Sequence, residues 1–477
     1  MINHKRLYSS IFLLLILLIS YYQSFSQENQ KPRIRINDYP VEGVQKSLVL
    51  LVEFPDISFS TMDNAYDYFY RLLNEENFTY ENGANGSARD YFKACSNNIF
   101  DPNFVVVGPI MLPKESSYYG ADINRVLDAN IHELVVDAAT IADELLDFSE
   151  FDNDLDGEVD NIYIFYAGYS QADTGISEAI WPNSNFLLDN RGISLTLDGK
   201  VINHYAMSNE IRGRSSNKEM PVGIGVFIHE FSHVLGLTDH YDSNFASNRP
   251  GVNNWDTMGS ANYFNNMHTP PLFSAFERAE LGWLEYIELK YDDNNREFML
   301  LPLEDVNSAY RVIVPETNEK EYFILENRQQ KGWDSFLPGH GLLVWHIDMD
   351  DEAWLNNQVN TDPTHNRVDI IEADGYESEN NFEGDPFPGK RKVTEYTFKS
   401  WKNDDVFSLS EIEESEDGKI LFVFCMNEAG YNNINQLSTY NENVKYFDIN
   451  GKEVSKDYKG IVIELKSDGS VKKIINR

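Results

Sequence analysis

The sequence predicts an α+β protein in which a region of mixed strands and helices, residues 46–285, precedes a β-rich region, residues 286–427. In the first region, apolar runs of strand length alternate with segments whose apolar residues recur every three or four positions. That second spacing is typical of helices that pack against a sheet. After residue 286, short β-branched and aromatic runs alternate with Asn, Asp, Gly and Pro turns, which indicates a sandwich-like arrangement of strands.

Local patterns predict the individual elements. Strands are expected over 46–54, 104–111 and 161–168, and helices over 63–76, 86–94, 124–147, 222–235 and 272–285. Ser87 and Ser274 are suitable N-caps for two of these helices. In the β-rich region, strands are expected over 297–302, 310–314, 321–326, 341–348, 367–372, 394–399 and 419–426.

The composition is that of a large globular protein and argues against some partners. Of 477 residues, 42% are hydrophobic, and 39 Lys and Arg face 77 Asp and Glu, which gives a net charge of −38. Because nucleic acids are bound by basic surfaces, this balance argues against such a partner, whereas it suits hard cations. Two cysteines, Cys95 and Cys425, exclude a disulfide framework and leave a single bridge open. We expect a monomer.

The first 26 residues are predicted to be a signal peptide. Lys5 and Arg6 precede an apolar run over 11–19, and the small residues Ser24 and Ser26 follow it. This order of basic, apolar and small residues is that of a secretory signal. We therefore expect a protein that is secreted or held at the cell surface, with a short segment, 27–45, before the first strand. We predict no transmembrane helix.

The strongest chemical signal is the run His229-Glu230-Phe-Ser-His233. Two histidines four residues apart lie on the same face of a helix, where both imidazoles can bind one Zn²⁺. Glu230, next in sequence, can reach a water at the metal and is the natural general base. Gly236 can end the helix in a sharp turn and return the chain to the metal. The third ligand then falls on Asp239, with His240 and Asp242 as close competitors.

A second motif supports this interpretation. The run Trp255-Asp256-Thr257-Met258-Gly259 follows shortly after the histidines. A methionine turn below the metal, after a loop that bears a ligand, marks the metzincin class of zinc peptidases. Met258 is therefore predicted to lie beneath the metal. Tyr263 lies five residues later, a spacing that favours a packed surface tyrosine over a catalytic one.

Together these residues resemble the immune inhibitor A-like family of secreted bacterial metallopeptidases, a metzincin group. The resemblance covers about residues 46–427 and includes the blocks 52–56, 86–92, 152–168, 271–283, 322–328, 341–348 and 372–375. It implies a metzincin-like catalytic domain over 46–285. It also implies that His229, His233 and Asp239 are the zinc ligands, that Glu230 is the base and that Met258 is the floor of the site.

An acidic loop before the strand at 161–168 predicts a calcium site. Asp152, Asp154 and Asp156 alternate and are followed by Gly157, the beginning of a pattern in which carboxylates converge on Ca²⁺. Glu158, through its carbonyl, and Asp160 complete the expected set. The twelfth position is Tyr163 and a strand follows, so the loop is not a full EF-hand. We expect a structural Ca²⁺ here.

The C-terminal residues form a separate unit in the prediction. A polar, Asn-rich linker over 428–439 leads to a tail, 440–477, with three short strand-like runs separated by glycine turns. This tail resembles the C-terminal sorting domain of type IX secretion in Bacteroidota. The resemblance implies the type IX secretion machinery as a partner.

The sequence thus predicts a zinc-dependent endopeptidase, and two alternatives stay open. One is a gluzincin-type enzyme with Glu277 or Glu280 as the third ligand, against which the spacing from Gly236 to Asp239 argues. The other is a catalytically silent, calcium-stabilised binding protein of the cell surface, against which the complete motif around Glu230 argues.

Overall fold

The computed structural model describes residues 39–80, 83–188, 192–213, 219–243, 251–362, 364–376 and 381–427, together with the backbone of three strands between 445 and 476. The predicted signal peptide and the predicted linker lie outside the described residues. No described helix is long and apolar enough to cross a membrane. Cys95 and Cys425 are not bonded to each other.

The first region contains nine strands and seven short α-helices among its described residues. Its strands are β1 (Gly43–Glu53), β2 (Phe100–Met111), β3 (Glu158–Val159), β4 (Ile162–Tyr169), β5 (Asn183–Phe186), β6 (Leu195–Leu197), β7 (Lys200–Ile202), β8 (His204–Arg212) and β9 (Met220–Pro221), of which β3 and β9 have only two residues. Its helices are α1 (Ala65–Asn74), α2 (Ala88–Cys95), α3 (Ser116–Tyr119), α4 (Ile131–Ala142), α5 (Gln171–Thr174), α6 (Gly225–Val234) and α7 (Ala275–Glu280).

A mixed sheet in the order β2-β1-β4-β8-β5 forms the centre of this region. Strands β2, β1, β4 and β8 are parallel, and β5 runs antiparallel to β8 at the edge. Alternate residues of β1 enter two different apolar clusters, one with α1, α2 and α6 and the other with α4. The sheet is therefore covered on both faces, which explains why β1 reads as a continuous apolar run.

The second region contains two further sheets. Its elements are β10 (Ile287–Glu288), β11 (Arg296–Leu300), β12 (Tyr310–Ile313), β13 (Glu321–Arg328), β14 (Gly341–Asp348), α8 (Asp351–Leu355), β15 (Val368–Ile370), β16 (Tyr396–Lys399), β17 (Asp405–Glu414) and β18 (Ile420–Met426). The sheets have the orders β10-β12-β13-β14-β15 and β11-β18-β17-β16. Side chains of both sheets share one apolar cluster, as in a sandwich.

The tail contains three antiparallel strands in the order β19-β20-β21, namely β19 (Lys445–Asp448), β20 (Gly460–Leu465) and β21 (Val471–Asn476). They coincide with the three strand-like runs that the sequence predicts in the tail, around 444–448, 461–465 and 471–475.

The structure corrects the helix that was expected over 124–147. Only Ile131–Ala142 is α-helical, because Asn124, Arg125 and Asp128 have positive φ angles, which an α-helix does not allow. The helix α7 is also shorter than expected and ends at Glu280, with Ser274 as its N-cap and Glu277 completing a capping box. Strands β8 and β17 are missing from the predictions. In β8 the buried Asn209 and Glu210 interrupt the apolar pattern by which a strand is recognised.

The two regions share a core and a buried ion-pair network. A fourth apolar cluster combines Trp255 and Phe276 of the first region with Trp345 and Trp354 of the second. Arg328 of β13 is fully buried and donates to both oxygens of Asp334 at 2.8 Å and to the carbonyl of Leu272 at 2.9 Å. The segment that leads into α7 is thus held by the β-rich region.

We expect the substitution Arg328→Met to lower the free energy of unfolding by about 3–5 kcal/mol, because it leaves the buried Asp334 carboxylate without its partner. The matched control is Arg296→Met, which removes an arginine that is 63% exposed and pairs with Asp293. That control should change stability by about 1 kcal/mol or less. Urea denaturation measures both, and equal losses would contradict a central role for Arg328.

Candidate active site

Every residue of the helix α6 except the partly exposed His233 is buried. Its residues Val226, Phe227, Ile228 and Phe231 lie in the same apolar cluster as β1 and α2. The helix approaches a neighbouring segment so closely at its beginning that a Cβ on Gly225 would lie 1.8 Å from the carbonyl oxygen of Asn262. Only glycine fits there. The packing fixes the helix, and with it the positions of His229 and His233.

The structure brings His229, His233 and Asp239 together. The Nε2 atoms of His229 and His233 lie 3.2 and 3.3 Å from Oδ1 of Asp239. Two ligands of a tetrahedral zinc ion, each about 2.0–2.1 Å from the metal, are about 3.3–3.4 Å apart. The separations therefore fit a zinc ion bound between the three side chains.

Both imidazoles are oriented by backbone carbonyls. The Nδ1 atom of His229 lies 2.9 Å from the carbonyl of Thr257, and that of His233 lies 2.9 Å from the carbonyl of Leu237. A carbonyl accepts only a protonated nitrogen, so Nδ1 carries a hydrogen in both rings and Nε2 is the nitrogen that faces Asp239. Such outer contacts are the usual means by which proteins orient metal-binding histidines.

The electrostatics of the three groups also suit a cation. Oδ1 of Asp239 is buried and accepts no well-formed hydrogen bond from the described residues. Burial raises the pKa of Asp239, but the two histidines outweigh it and hold this pKa well below its usual range. Burial lowers the pKa of His233, but the charges of Asp239 and Glu230 outweigh it and raise this pKa to about 9. The site thus favours positive charge.

Glu230 lies beside this group and is not a member of it. Its side chain is 7% exposed and lines the same cavity as the two histidines. Burial raises the pKa of Glu230, against the opposing effect of His229 and His233. A carboxylate whose pKa is moved towards neutrality is suited to accept and return a proton.

The turn after α6 brings Asp239 to the histidines, and Met258 holds the segment that follows it. Gly236 has a φ of 96°, which glycine adopts without strain, and its amide bonds to the carbonyl of His233 at 3.0 Å. The chain then runs back beneath the helix. Met258 is fully buried in the cluster that contains α6, and its carbonyl accepts a hydrogen bond from the amide of His240 at 3.0 Å.

The competing ligands of the sequence analysis lie elsewhere. Nδ1 of His240 is 2.6 Å from Oδ2 of Asp256, and the other oxygen of Asp256 accepts the amide of Met258 at 2.6 Å. Glu277 joins His240 and Asp256 in a second buried group, separate from the two motif histidines. His240 thus connects the segment 236–240 that carries Asp239, here called the ligand loop, to the methionine turn 255–259. Neither Asp242 nor Glu280 belongs to the group of His229 and His233 among the described residues.

A cleft opens over these residues. A cavity of about 490 Å³ is lined by the motif residues, by the edge strand β5 and by side chains that the sequence analysis missed, namely Trp181, Tyr241 and Asn357. A second pocket of about 190 Å³ adjoins it, and its lining includes Glu230, Tyr241, Gly259, Ser260, Asn262 and Tyr263. Burial and the charges of Asp239 and Glu230 raise the pKa of Tyr241 above its ordinary value. A cavity of about 840 Å³ in the β-rich region contains none of these groups.

The acidic loop has a compact arrangement of its own. Carboxylate oxygens of Asp152, Asp154 and Asp156 lie within 4.8 Å of one another, and Nζ of Lys200 is 2.5 Å from Oδ2 of Asp152. Burial and neighbouring carboxylates raise the pKa of Asp154. Glu158 lies in β3 and Asp160 accepts the amide of Asn153 at 3.2 Å, so their carboxylates stand outside the group.

Comparison with known proteins identifies the family of the chain. The sequence profile of the immune inhibitor A peptidase M6 catalytic domain matches residues 38–284, more than half of the chain. Immune inhibitor A of Bacillus thuringiensis subsp. alesti is 25% identical over 298 residues, which cover 53% of this chain and 42% of the relative. The pre-pro-metalloprotease PrtV of Vibrio cholerae serotype O1 is 24% identical over 306 residues, 55% of this chain and 33% of the relative.

The match thus spans less than half the length of these relatives. Within this chain it includes β1, the acidic loop, the helix α6 and the methionine turn. The chain belongs to the immune inhibitor A peptidase family, M6.

Proposed function

We propose that this chain is a zinc-dependent endopeptidase of the metzincin class that hydrolyses peptide bonds in proteins. The observation that carries the proposal is the convergence of His229, His233 and Asp239 beside Glu230, at the bottom of an open cleft. His229 and His233 would bind zinc through Nε2 and Asp239 through Oδ1. Met258 is the apolar floor beneath them. The zinc ion would supply the Lewis acid that polarises the scissile carbonyl and the attacking water.

Glu230 moves the proton in this proposal. Its carboxylate accepts the proton of the attacking water and then donates it to the nitrogen of the leaving amine. The raised pKa of Glu230, caused by its burial, makes the carboxylate a better proton acceptor than an exposed one. His229 and His233 oppose this rise in the pKa of Glu230.

The substrate is a protein or peptide bound in an extended conformation. Strand β5 borders the cleft and pairs with β8 along one edge, and no other described strand pairs with its second edge. An unpaired strand edge offers amides and carbonyls to which an extended peptide can add as another strand. Such binding orders the backbone of the substrate over Glu230 and leaves specificity to the pockets on either side.

A structural calcium ion at the acidic loop is a further part of the proposal. Asp152, Asp154 and Asp156 supply oxygens at short separation, and burial together with the charges of Asp156 and Asp152 raises the pKa of Asp154. A divalent cation would relieve the repulsion between these carboxylates. The loop leads directly into β4, a central strand. Calcium would therefore stabilise the sheet that supports the cleft.

We also propose that the protein is exported by its N-terminal signal and recognised by the type IX secretion machinery through the tail. The strands β19, β20 and β21 are compatible with a small β domain. Detection of the processed chain outside cells, and its loss from that fraction when 440–477 are deleted, tests this proposal.

We expect the substitution Glu230→Gln to lower the rate of hydrolysis of a denatured protein substrate by about 10²–10⁴-fold, because it removes the proton acceptor and keeps the volume of the side chain. Zinc content should be that of the wild type. The matched control is Glu219→Gln, an exposed carboxylate outside the cleft. Cleavage by the wild type that survives removal of zinc would refute the proposal, and a zinc-bound but inactive wild type would favour the binding-protein alternative.

The substitution Asp239→Ala is expected to abolish stoichiometric zinc binding. Loss of a residue that only orients a ligand weakens metal affinity by about 10–100-fold, and loss of a ligand itself should weaken it more. Metal analysis after dialysis measures the effect. In the parallel variant Glu277→Gln zinc should be retained, since Glu277 lies in the other buried group. Loss of zinc from the Glu277 variant alone would indicate the gluzincin-type site instead.

Calcium at about 100 times its Kd is expected to add about 2.7 kcal/mol to the stability of the wild type. The variant Asp154→Asn should lose most of this gain, because it removes one of three converging carboxylates. Glu150→Gln, a neighbouring exposed acid that pairs with Lys46, is the control for the change in net charge. Thermal unfolding with calcium and with chelator measures the difference, and an equal response of all three proteins would exclude calcium binding at this loop.

A further inference from the structure

One side chain of the β-rich region reaches the proposed zinc site. Asn357 follows the short helix α8, 118 residues after Asp239 in the chain. Its Oδ1 accepts the backbone amide of Asp239 at 2.7 Å, and its Nδ2 donates to Oδ2 of Asp239 at 2.7 Å. A single carboxamide thus binds both the backbone and the side chain of the third ligand.

The two oxygens of Asp239 have different partners as a result. Oδ2 accepts the hydrogen bond of Asn357, whereas Oδ1 faces the Nε2 atoms of His229 and His233. A carboxylate that is held in this way offers one oxygen to a metal, with a fixed direction. Without the amide, rotation about the last side-chain bond would be free to exchange the two oxygens.

The loop that carries Asn357 is itself well fixed. Trp354 of α8 is 2% exposed and packs on Phe276 of α7. Asn357 has a φ of 51°, a left-handed conformation that asparagine tolerates better than most residues, and its amide bonds to the carbonyl of Trp354 at 3.1 Å.

Asn360 adds a second connection between the same two loops. Its Nδ2 donates to the carbonyl of His240 and to that of Val368, both at 2.8 Å. The ligand loop is therefore bound at two successive residues, Asp239 and His240, by side chains of the second region.

We propose that Asn357 is a positioning residue that sets Asp239 as a one-oxygen zinc ligand, so that the β-rich region completes the metal site. This inference rests on the proposed function, because it assumes that His229, His233 and Asp239 bind zinc. It goes beyond that function by extending the site past residue 284, where the match to the catalytic-domain profile ends.

The experiment compares Asn357→Gly with Asn356→Gly in the full chain. Glycine adopts the left-handed conformation at 357 without strain, so the variant removes the carboxamide and leaves the backbone path available. Asn356 is the preceding residue, and its side chain bonds to the carbonyl of Glu352 within α8. The two variants gain similar backbone freedom, but only one loses the contact with Asp239.

The first readout is zinc affinity, measured by competition with a chromophoric chelator. We expect Asn357→Gly to bind zinc about 10–100-fold more weakly than the wild type, the usual cost of losing an outer-shell partner. The second readout is the visible spectrum of the cobalt-substituted protein, which reports the ligand geometry. The cobalt spectrum should change in Asn357→Gly. In the control Asn356→Gly, both the spectrum and the zinc affinity should equal those of the wild type.

An affinity and a cobalt spectrum of Asn357→Gly that both equal those of the wild type would overturn the inference. Equal weakening in both variants would also overturn it, since loop freedom alone would then explain the effect. Failure of the proposed function is distinguishable, because the wild type itself would then bind no zinc or would hydrolyse protein without Glu230.

Discussion

The candidate site depends on one geometric constraint, which is that a single helix can supply only two of the three proposed zinc ligands. His229 and His233 lie one turn apart on α6 and share a face, but the helix has no third position that reaches the same point. The third proposed ligand must come from the segment that turns back after the helix. That segment is not helical, so the hydrogen bonds of α6 do not hold it in place. The position and orientation of the Asp239 side chain are therefore fixed by contacts from outside the helix.

One turn residue and contacts from two other parts of the chain hold the loop that carries Asp239. Gly236 permits the turn, the buried pair of His240 and Asp256 fastens the loop to the methionine turn, and Asn357 binds the loop from the β-rich region. A loop with one such contact would still pivot, whereas contacts on several sides restrict both its translation and its rotation. The shared core around Trp255 and Trp345 makes the contacts persistent, since neither region can move without exposing apolar surface.

Local chemistry explains which features the sequence could predict. The motif histidines, Glu230, the turn at Gly236 and the caps at Ser87 and Ser274 each depend on residues within a few positions of one another. Strand β8 escaped prediction because its buried Asn209 and Glu210 interrupt the apolar pattern, and the partners of Glu210 are distant in the sequence: it accepts the amides of Ser60, Thr61 and Gly168. The cleft residues Trp181 and Asn357 escaped for the same reason, because nothing in their own neighbourhood specifies the long-range contact.

The position of Asn357 bears on where the catalytic unit ends. The catalytic-domain profile stops at residue 284, shortly after α7. A domain boundary there would separate Asp239 from Asn357, whose side-chain amide makes two hydrogen bonds with it. It would also leave Arg328 without the carbonyl of Leu272, and Phe276 without Trp354. Since the surface that buries this shared core also carries the residue proposed to orient Asp239, we expect stability and metal affinity to depend on the same contacts between the two regions. The β-rich region then belongs to the unit that holds Asp239 in place.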